Sequence, residues 1–248
     1  MNFIQSAKNE KVKAWKKLLT KKGRDKSGQF LVEGFHLVEE ALNKDYVTAI
    51  VVDEEVSLPR AWKVDGLEMY TTTAAVVKEL AETETSQGVF AVCEKKEWKD
   101  SNYRKLLLLD GVQDPGNIGT IIRTADAAGI DAVVCGDGCV DVYNSKALRS
   151  TQGSIFHLPV LKANLPQYIE TLQSKDIPVY GTSLHNAVDY REAQPLESFA
   201  LVVGNEGNGV SDEVLNLCDQ NLYIPIHGGA ESLNVTVATG ILLYHLYK

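Results

Sequence analysis

The sequence predicts an α/β protein in two parts, a small N-terminal α/β module and a C-terminal domain built on a parallel sheet. The first observation behind this is length: 248 residues, 44% of them apolar, suit one large domain or two modest ones with a real core. The second is a change of hydrophobic pattern near residue 100. Beyond it, short apolar runs bounded by Gly, Asp and Pro alternate with helical stretches, as do the strands of a sheet covered on both faces. The third is the polar stretch Glu94–Arg104, seven of whose eleven residues are charged, which reads as a linker. The expected boundaries are a domain over 1–95, a linker over 96–104 and a domain over 105–248.

In chain order, a basic helix is expected over about 7–22, with Val12, Trp15, Leu18 and Leu19 as its core stripe. A turn over Lys22–Gly28 leads into a strand at Phe30–Glu33 and an amphipathic helix carrying Phe35, Leu37, Val38, Ala41 and Leu42. A strand at Ala49–Val52, a short helix around Ala74–Ala81 and a strand at Val89–Val92 complete the module. The C-terminal strands are expected at Leu106–Leu109, Ala132–Cys135, Phe156–Leu161, Ile177–Tyr180, Leu201–Val203 and Leu222–Ile226. In open parallel sheets, ligands sit beyond the carboxyl ends of the strands. Chemistry is therefore sought in the loops after Leu109, Val203 and Ile226.

Composition excludes a disulfide-stapled scaffold, a collagen-like repeat and a disordered chain. No window reaches the roughly 18 uncharged apolar residues of a bilayer span, and no signal peptide is read at the N-terminus, so a cytoplasmic protein is expected. Cys93, Cys135, Cys139 and Cys218 form no C-x-x-C pair and the five histidines lack ligand spacing, so reduced thiols and no metal are expected. The net charge of −8 conceals an asymmetry. Residues 1–30 hold nine basic and two acidic groups, a net of +7, while the rest of the chain carries −15. Such a basic segment suits phosphates, although a lysine-rich helix can equally be a solvated face.

The loop after Leu109 reads Asp110-Gly-Val-Gln-Asp-Pro-Gly-Asn117 and runs into a helix whose buried face is Ile118, Ile121, Ile122 and Ala125, ending at Gly129. Asn117 is an N-cap type. Arg123 lies about 140° round the helix from Ile118, placed for a phosphate or carboxylate, or simply for solvent. The second loop, Gly204-Asn-Glu206-Gly-Asn-Gly209, combines three glycines that allow close backbone approach with one carboxylate. It matches neither the dinucleotide fingerprint nor a Walker A loop, which disfavours a NAD or ATP enzyme. The third, His227-Gly-Gly-Ala-Glu-Ser232-Leu-Asn234, brings capping residues to a helix that lacks Asp, Glu, Lys and Arg as far as Tyr247. That helix is expected to be buried against the sheet or a second subunit.

These three blocks, in this order, resemble the Asn-x-Gly-x-x-x-Arg, Gly-x-Glu-Gly and Ser-Leu-Asn-Val motifs of the SpoU/TrmH branch of the SPOUT RNA methyltransferases, over about residues 104–248. Thr236 stands where serine is frequent. Upstream, Gln29-Phe-Leu-Val-Glu-Gly34 and the following helix resemble the family's substrate-binding domain, similar to a small ribosomal protein. The resemblance implies 2′-O-ribose methylation of RNA from S-adenosylmethionine, a C-terminal trefoil knot and a homodimer. It implies ribosomal RNA ahead of transfer RNA; a non-catalytic RNA-binding relative is the alternative. By matching position it implies cofactor contacts around Thr182, Gly204, Ile224 and Leu233. Asn117, Arg123, Glu206, Ser232 and Asn234 would form the reaction site. The basic Lys21, Lys22, Arg24 and Lys26 are the expected RNA contacts.

Overall fold

A computed structural model describes residues 2–98 and 102–248; residues 99–101 of the expected linker lie outside the described residues. The chain forms two compact units, one of residues 1–97 with 143–156 and one of 98–142 with 157–248. The sequence reading assigns 143–156 to the C-terminal domain.

The first unit opens with β1 (Asn2–Ile4), α1 (Glu10–Lys17), α2 (Lys21–Ser27), β2 (Gln29–Glu33), α3 (Phe35–Asn43) and β3 (Val47–Asp53), then β4 (Glu68–Thr72), α4 (Ala74–Leu80) and β5 (Val89–Glu94). The strands make one sheet in the order β1-β4-β3-β5-β2, with β2 and β3 antiparallel to β5 and β4 parallel to β3. Two corrections arise here. The single basic helix expected over 7–22 is two helices, because Thr20 ends one and caps the next through its hydroxyl, which accepts from the Gly23 N–H at 3.2 Å. The expected turn over Lys22–Gly28 is therefore mostly α2, and Gly28 at φ +68° closes it. Val12, Trp15 and Leu18 are buried as expected, with Trp15 edge-on to Tyr70 at 5.1 Å.

The second unit begins with β6 (Lys105–Asp110), α5 (Pro115–Ala127) and β7 (Ala132–Cys135). The chain then supplies residues 143–156 to the first unit as α6 (Ser145–Thr151) and a 3₁₀ turn at Ser154–Phe156, with Phe156 and Tyr143 packed around Phe30. It continues through β8 (Val160–Lys162), α7 (Leu165–Gln173), β9 (Val179–Thr182), β10 (Val188–Asp189), β11 (Phe199–Gly204), α8 (Asp212–Leu215), β12 (Gln220–Tyr223) and α9 (Val235–Leu246). The strand expected at Phe156–Leu161 is shorter and later, since Ser154–Phe156 is a 3₁₀ turn. Seven strands lie parallel in the order β10-β12-β9-β11-β6-β7-β8. Leu106–Leu109 are all fully buried, as a central strand covered on both faces requires. Each such leucine contributes roughly 1.5–3 kcal/mol by leaving water. The four cysteines are free thiols, and burial pushes Cys218 up to about 12 and raises Cys93 as well, so neither is a thiolate at neutral pH.

Candidate active site

Strand order brings the first two glycine-bearing loops together, because β6 and β11 are neighbours in register from Lys105 and Phe199 to Asp110 and Gly204. Their ends are tied twice. Asp110 Oδ2 accepts the Ser211 N–H at 2.7 Å, and Asn205 Nδ2 donates to the Gly111 carbonyl at 2.9 Å. Asn205 also folds its own loop, since its Oδ1 accepts the N–H groups of Gly207 and Asn208 at 2.9 and 3.0 Å. Gly204 is required by sterics rather than by backbone angle. A Cβ there would stand 2.1 Å from the carbonyl carbon of Gly209.

Glu206 is the centre of the cluster. Its Oε1 accepts the Asp114 N–H and the Asn117 Nδ2–H, each at 3.0 Å, and its Oε2 accepts the Gln113 N–H at 3.1 Å. Partial burial works against the charged form, but the Asn117 amide and the backbone N–H groups outweigh it and hold the carboxyl below its ordinary range. Asn117 does not cap α5. Asp114 does, with Oδ1 accepting the Asn117 N–H at 2.8 Å, while Pro115 takes the first helical position. That leaves the Asn117 side chain free to bridge Glu206 and Asn234, whose Nδ2 donates to Asn117 Oδ1 at 3.4 Å. Asn234 is the cap of α9, its Oδ1 accepting from the Thr236 N–H at 2.8 Å and hydroxyl at 2.6 Å.

Asn117, Glu206 and Asn234 thus converge, linking all three loops. Arg123 and Ser232 do not join them. Arg123 is exposed on α5 with no hydrogen bond or ion pair among the described residues, and Ser232 is exposed in the loop before α9. Of the expected cofactor contacts, Gly204 ends β11 and Thr182 ends β9, its hydroxyl donating to the Val202 carbonyl at 3.0 Å. Ile224 and Leu233 are half-buried in the loop after β12, where a Cβ on Gly228 or Gly229 would meet nothing within 4 Å. Glycine backbone, half-buried aliphatic side chains and an open loop at neighbouring strand ends suit a nucleoside-bearing cofactor. Among the described residues, no group of three or more His, Cys, Asp or Glu could hold a metal ion.

Sequence reasoning overlooked Asn205 and Asp114, although both lie inside the quoted blocks; their signal is the Asx type in a turn. One expected RNA contact is corrected. Arg24 is only 4% exposed, and its Nη1 donates to the Leu18 carbonyl at 2.8 Å, tying the α1–α2 turn. Lys21, Lys22 and Lys26 are exposed on α2.

The profile of the SpoU rRNA Methylase family matches residues 104–244, and that of the MRM3-like substrate binding domain matches residues 9–91. The chain is 53% identical, over 99% of both chains, to the 23S rRNA (guanosine(2553)-2′-O)-methyltransferase RlmP of Bacillus subtilis (strain 168). Its structure is similar to the AdoMet-bound rRNA methyltransferase from Sinorhizobium meliloti, with a TM-score of 0.89 at 31% identity over 99% of this chain and 97% of that one. It is also similar to the SpoU methyltransferase AviRb from Streptomyces viridochromogenes in complex with AdoMet, with a TM-score of 0.86 at 28% identity over 96% and 97%.

Proposed function

Because the chain belongs to the SpoU rRNA methylase family, we propose that it methylates the ribose 2′-hydroxyl of the 23S rRNA guanosine equivalent to the one on which the Bacillus subtilis relative acts. The reaction class itself is S-adenosylmethionine-dependent 2′-O-methylation of ribosomal RNA. The observation that carries the choice of nucleotide is the high identity to that relative along the whole length of both chains.

Bound S-adenosylmethionine supplies a methyl group already activated on a sulfonium. The protein then has to align the 2′-oxygen with that methyl and assist loss of the hydroxyl proton. In our reading, the backbone around Gly204, Ile224 and Leu233, with Thr182 beside it, holds the cofactor. Glu206 is a positioning residue: three N–H groups occupy its oxygens, and a depressed carboxyl is a poor base. Asn117 and Asn234 fix the α5 and α9 ends of the site. A guanidinium is a donor with no acceptor, so the work of Arg123 is to hold the substrate phosphate and stabilise the developing alkoxide. Ser232 lies in the loop that faces the ribose.

The reading includes a homodimer. It is supported by α9, where Val237 is 50% and Tyr244 64% exposed, with half-buried Ile241 between them on one helical face. That stripe lies on a helix packed against α5, which carries Arg123, so a twofold partner covering it would complete the site with a guanidinium from the other subunit. The reading also includes the trefoil knot, supported by α9, which follows β12 and packs back against α5 and β11. Among the described residues no helix is long and apolar enough to cross a membrane; the reading includes a cytoplasmic location, supported by the rRNA substrate of the Bacillus subtilis relative. Arg123→Ala tests the assignment: methyl transfer should be lost while calorimetry gives unchanged S-adenosylmethionine affinity. Equal loss of both would overturn it.

A further inference from the structure

A recess of about 240 Å³ in the first unit includes none of the reaction-site residues. Its polar lining includes Glu33, His36, Thr83, Gln87, Arg149 and Gln152. Glu33 belongs to the Gln29–Gly34 motif, whose glycine adopts φ +97°. A Cβ at Gly34 would stand 2.9 Å from Gln87 Oε1, which accepts the Phe35 N–H at 2.9 Å, so the motif keeps this wall thin. The opposite wall comes from α6 and its end, where Gln152 takes the left-handed conformation at φ +49° and its carbonyl meets His36 Nε2 at 3.0 Å. These contacts build the recess. They leave one group unanswered, because Arg149 Nη1 is enclosed without any hydrogen-bond partner. Enclosed donors are almost always paired, and the side chain that carries this unpaired one also lines the recess, where a small turn of its guanidinium would bring it to a ligand.

The lining decides which ligand. A carboxylate, Glu33, shares the recess with Arg149 and is held at 2.8 Å by the Thr83 hydroxyl. A phosphate would gain from the arginine but be repelled by the glutamate. A guanine offers O6 and N7 as paired acceptors for a guanidinium, and N1–H and N2–H₂ as donors for a carboxylate. The volume falls below the roughly 300–1,000 Å³ of pockets for drug-sized ligands, which suits a single base. Sequence-specific RNA recognition generally takes bases splayed out of unpaired segments. We propose that this recess reads one unpaired guanine of the RNA substrate, distinct from the methylated nucleotide. This rests on the function proposed above.

The full-length chain with Arg149→Gln or Arg149→Lys tests it, using 23S rRNA, direct RNA binding across a salt titration, and methyl-transfer kinetics. Both variants should weaken RNA binding and raise KM for RNA by roughly 5- to 150-fold, the range of one bidentate base contact. The salt slope, kcat at saturating RNA and S-adenosylmethionine affinity should stay unchanged, and thermal stability should not fall. Lysine should fail to rescue, because it keeps the charge and loses the fork. Abasic substitution of unpaired guanines should reveal one position that weakens wild-type binding and has no further effect in Arg149→Gln. Unchanged RNA affinity would overturn the proposal. So would rescue by lysine with a flatter slope in Arg149→Gln, which marks a phosphate contact. A lower melting temperature with unaltered binding would also overturn it by marking a structural arginine. Because binding is read separately, failure of wild-type transfer would count against the proposed function and not against the recess.

Discussion

Glu206 accepts from two backbone N–H groups of one loop and from the Asn117 side chain, so its charge organises the site before any substrate arrives. Its folded pKa lies below the ordinary value, so the clasp is fully present above the unfolded carboxylate pKa and is lost only as pH falls through the folded value. The expected behaviour is constancy across the neutral range and release only in acid below the ordinary glutamate range. Hydrogen exchange should follow this: corrected for intrinsic rates, the Gln113 and Asp114 amides should lose protection in Glu206→Gln at neutral pH, and undiminished protection would contradict the clasp. Gly204→Ala is a harsher change, since its Cβ would meet backbone rather than a flexible side chain. We expect about 1–3 kcal/mol lower stability and a marked loss of S-adenosylmethionine affinity, read by denaturant unfolding and calorimetry. Motif position found Glu206 and Asn117, but no spacing shows that Asp114 supplies the cap and so frees Asn117 for another task.

The elements that were legible are those buried on both faces. Leu106–Leu109, Ala132–Cys135 and Leu201–Val203 stand out as apolar runs because central strands of a parallel sheet have no solvent side. The strands that were missed, β1, β4 and β10, are short or carry polar residues, as in Glu68-Met-Tyr-Thr-Thr72 and Val188-Asp189. The apolar run from Phe156 misled because burial alone does not distinguish a 3₁₀ turn from a strand. For α9, absence of charge predicted burial, yet within one chain Val237 and Tyr244 stay exposed. Tyr244→Asp should therefore convert a dimer into a monomer in sedimentation at micromolar concentration, with loss of activity, whereas an unchanged mass would remove this face as the interface.

At the scale of the whole molecule, the +7 of residues 1–30 opposes the −15 of the rest, so our reading has RNA encounter depend on the N-terminal basic groups. Deleting the N-terminal module is a poor test, because residues 143–156 pack with it and Phe156 would be stripped of Phe30 and Tyr46. Replacing Lys21, Lys22 and Lys26 with alanine is cleaner, since all three are exposed. RNA affinity should fall, and the log–log salt slope should flatten by roughly 0.7–0.9 for each lysine that neutralises a phosphate. An unaltered slope would reduce α2 to a solvated face. The order of the three loops identified the reaction class from sequence, while the entry of residues 143–156 into the first unit depends on long-range packing that local pattern does not carry. The most direct measurement is nucleotide-resolution mapping of 2′-O-methylation on unmodified 23S rRNA incubated with the purified chain and S-adenosylmethionine. A single new 2′-O-methyl group at the guanosine equivalent to 2553, absent with Arg123→Ala, is the predicted result, and methylation on a base or at another nucleotide would contradict it.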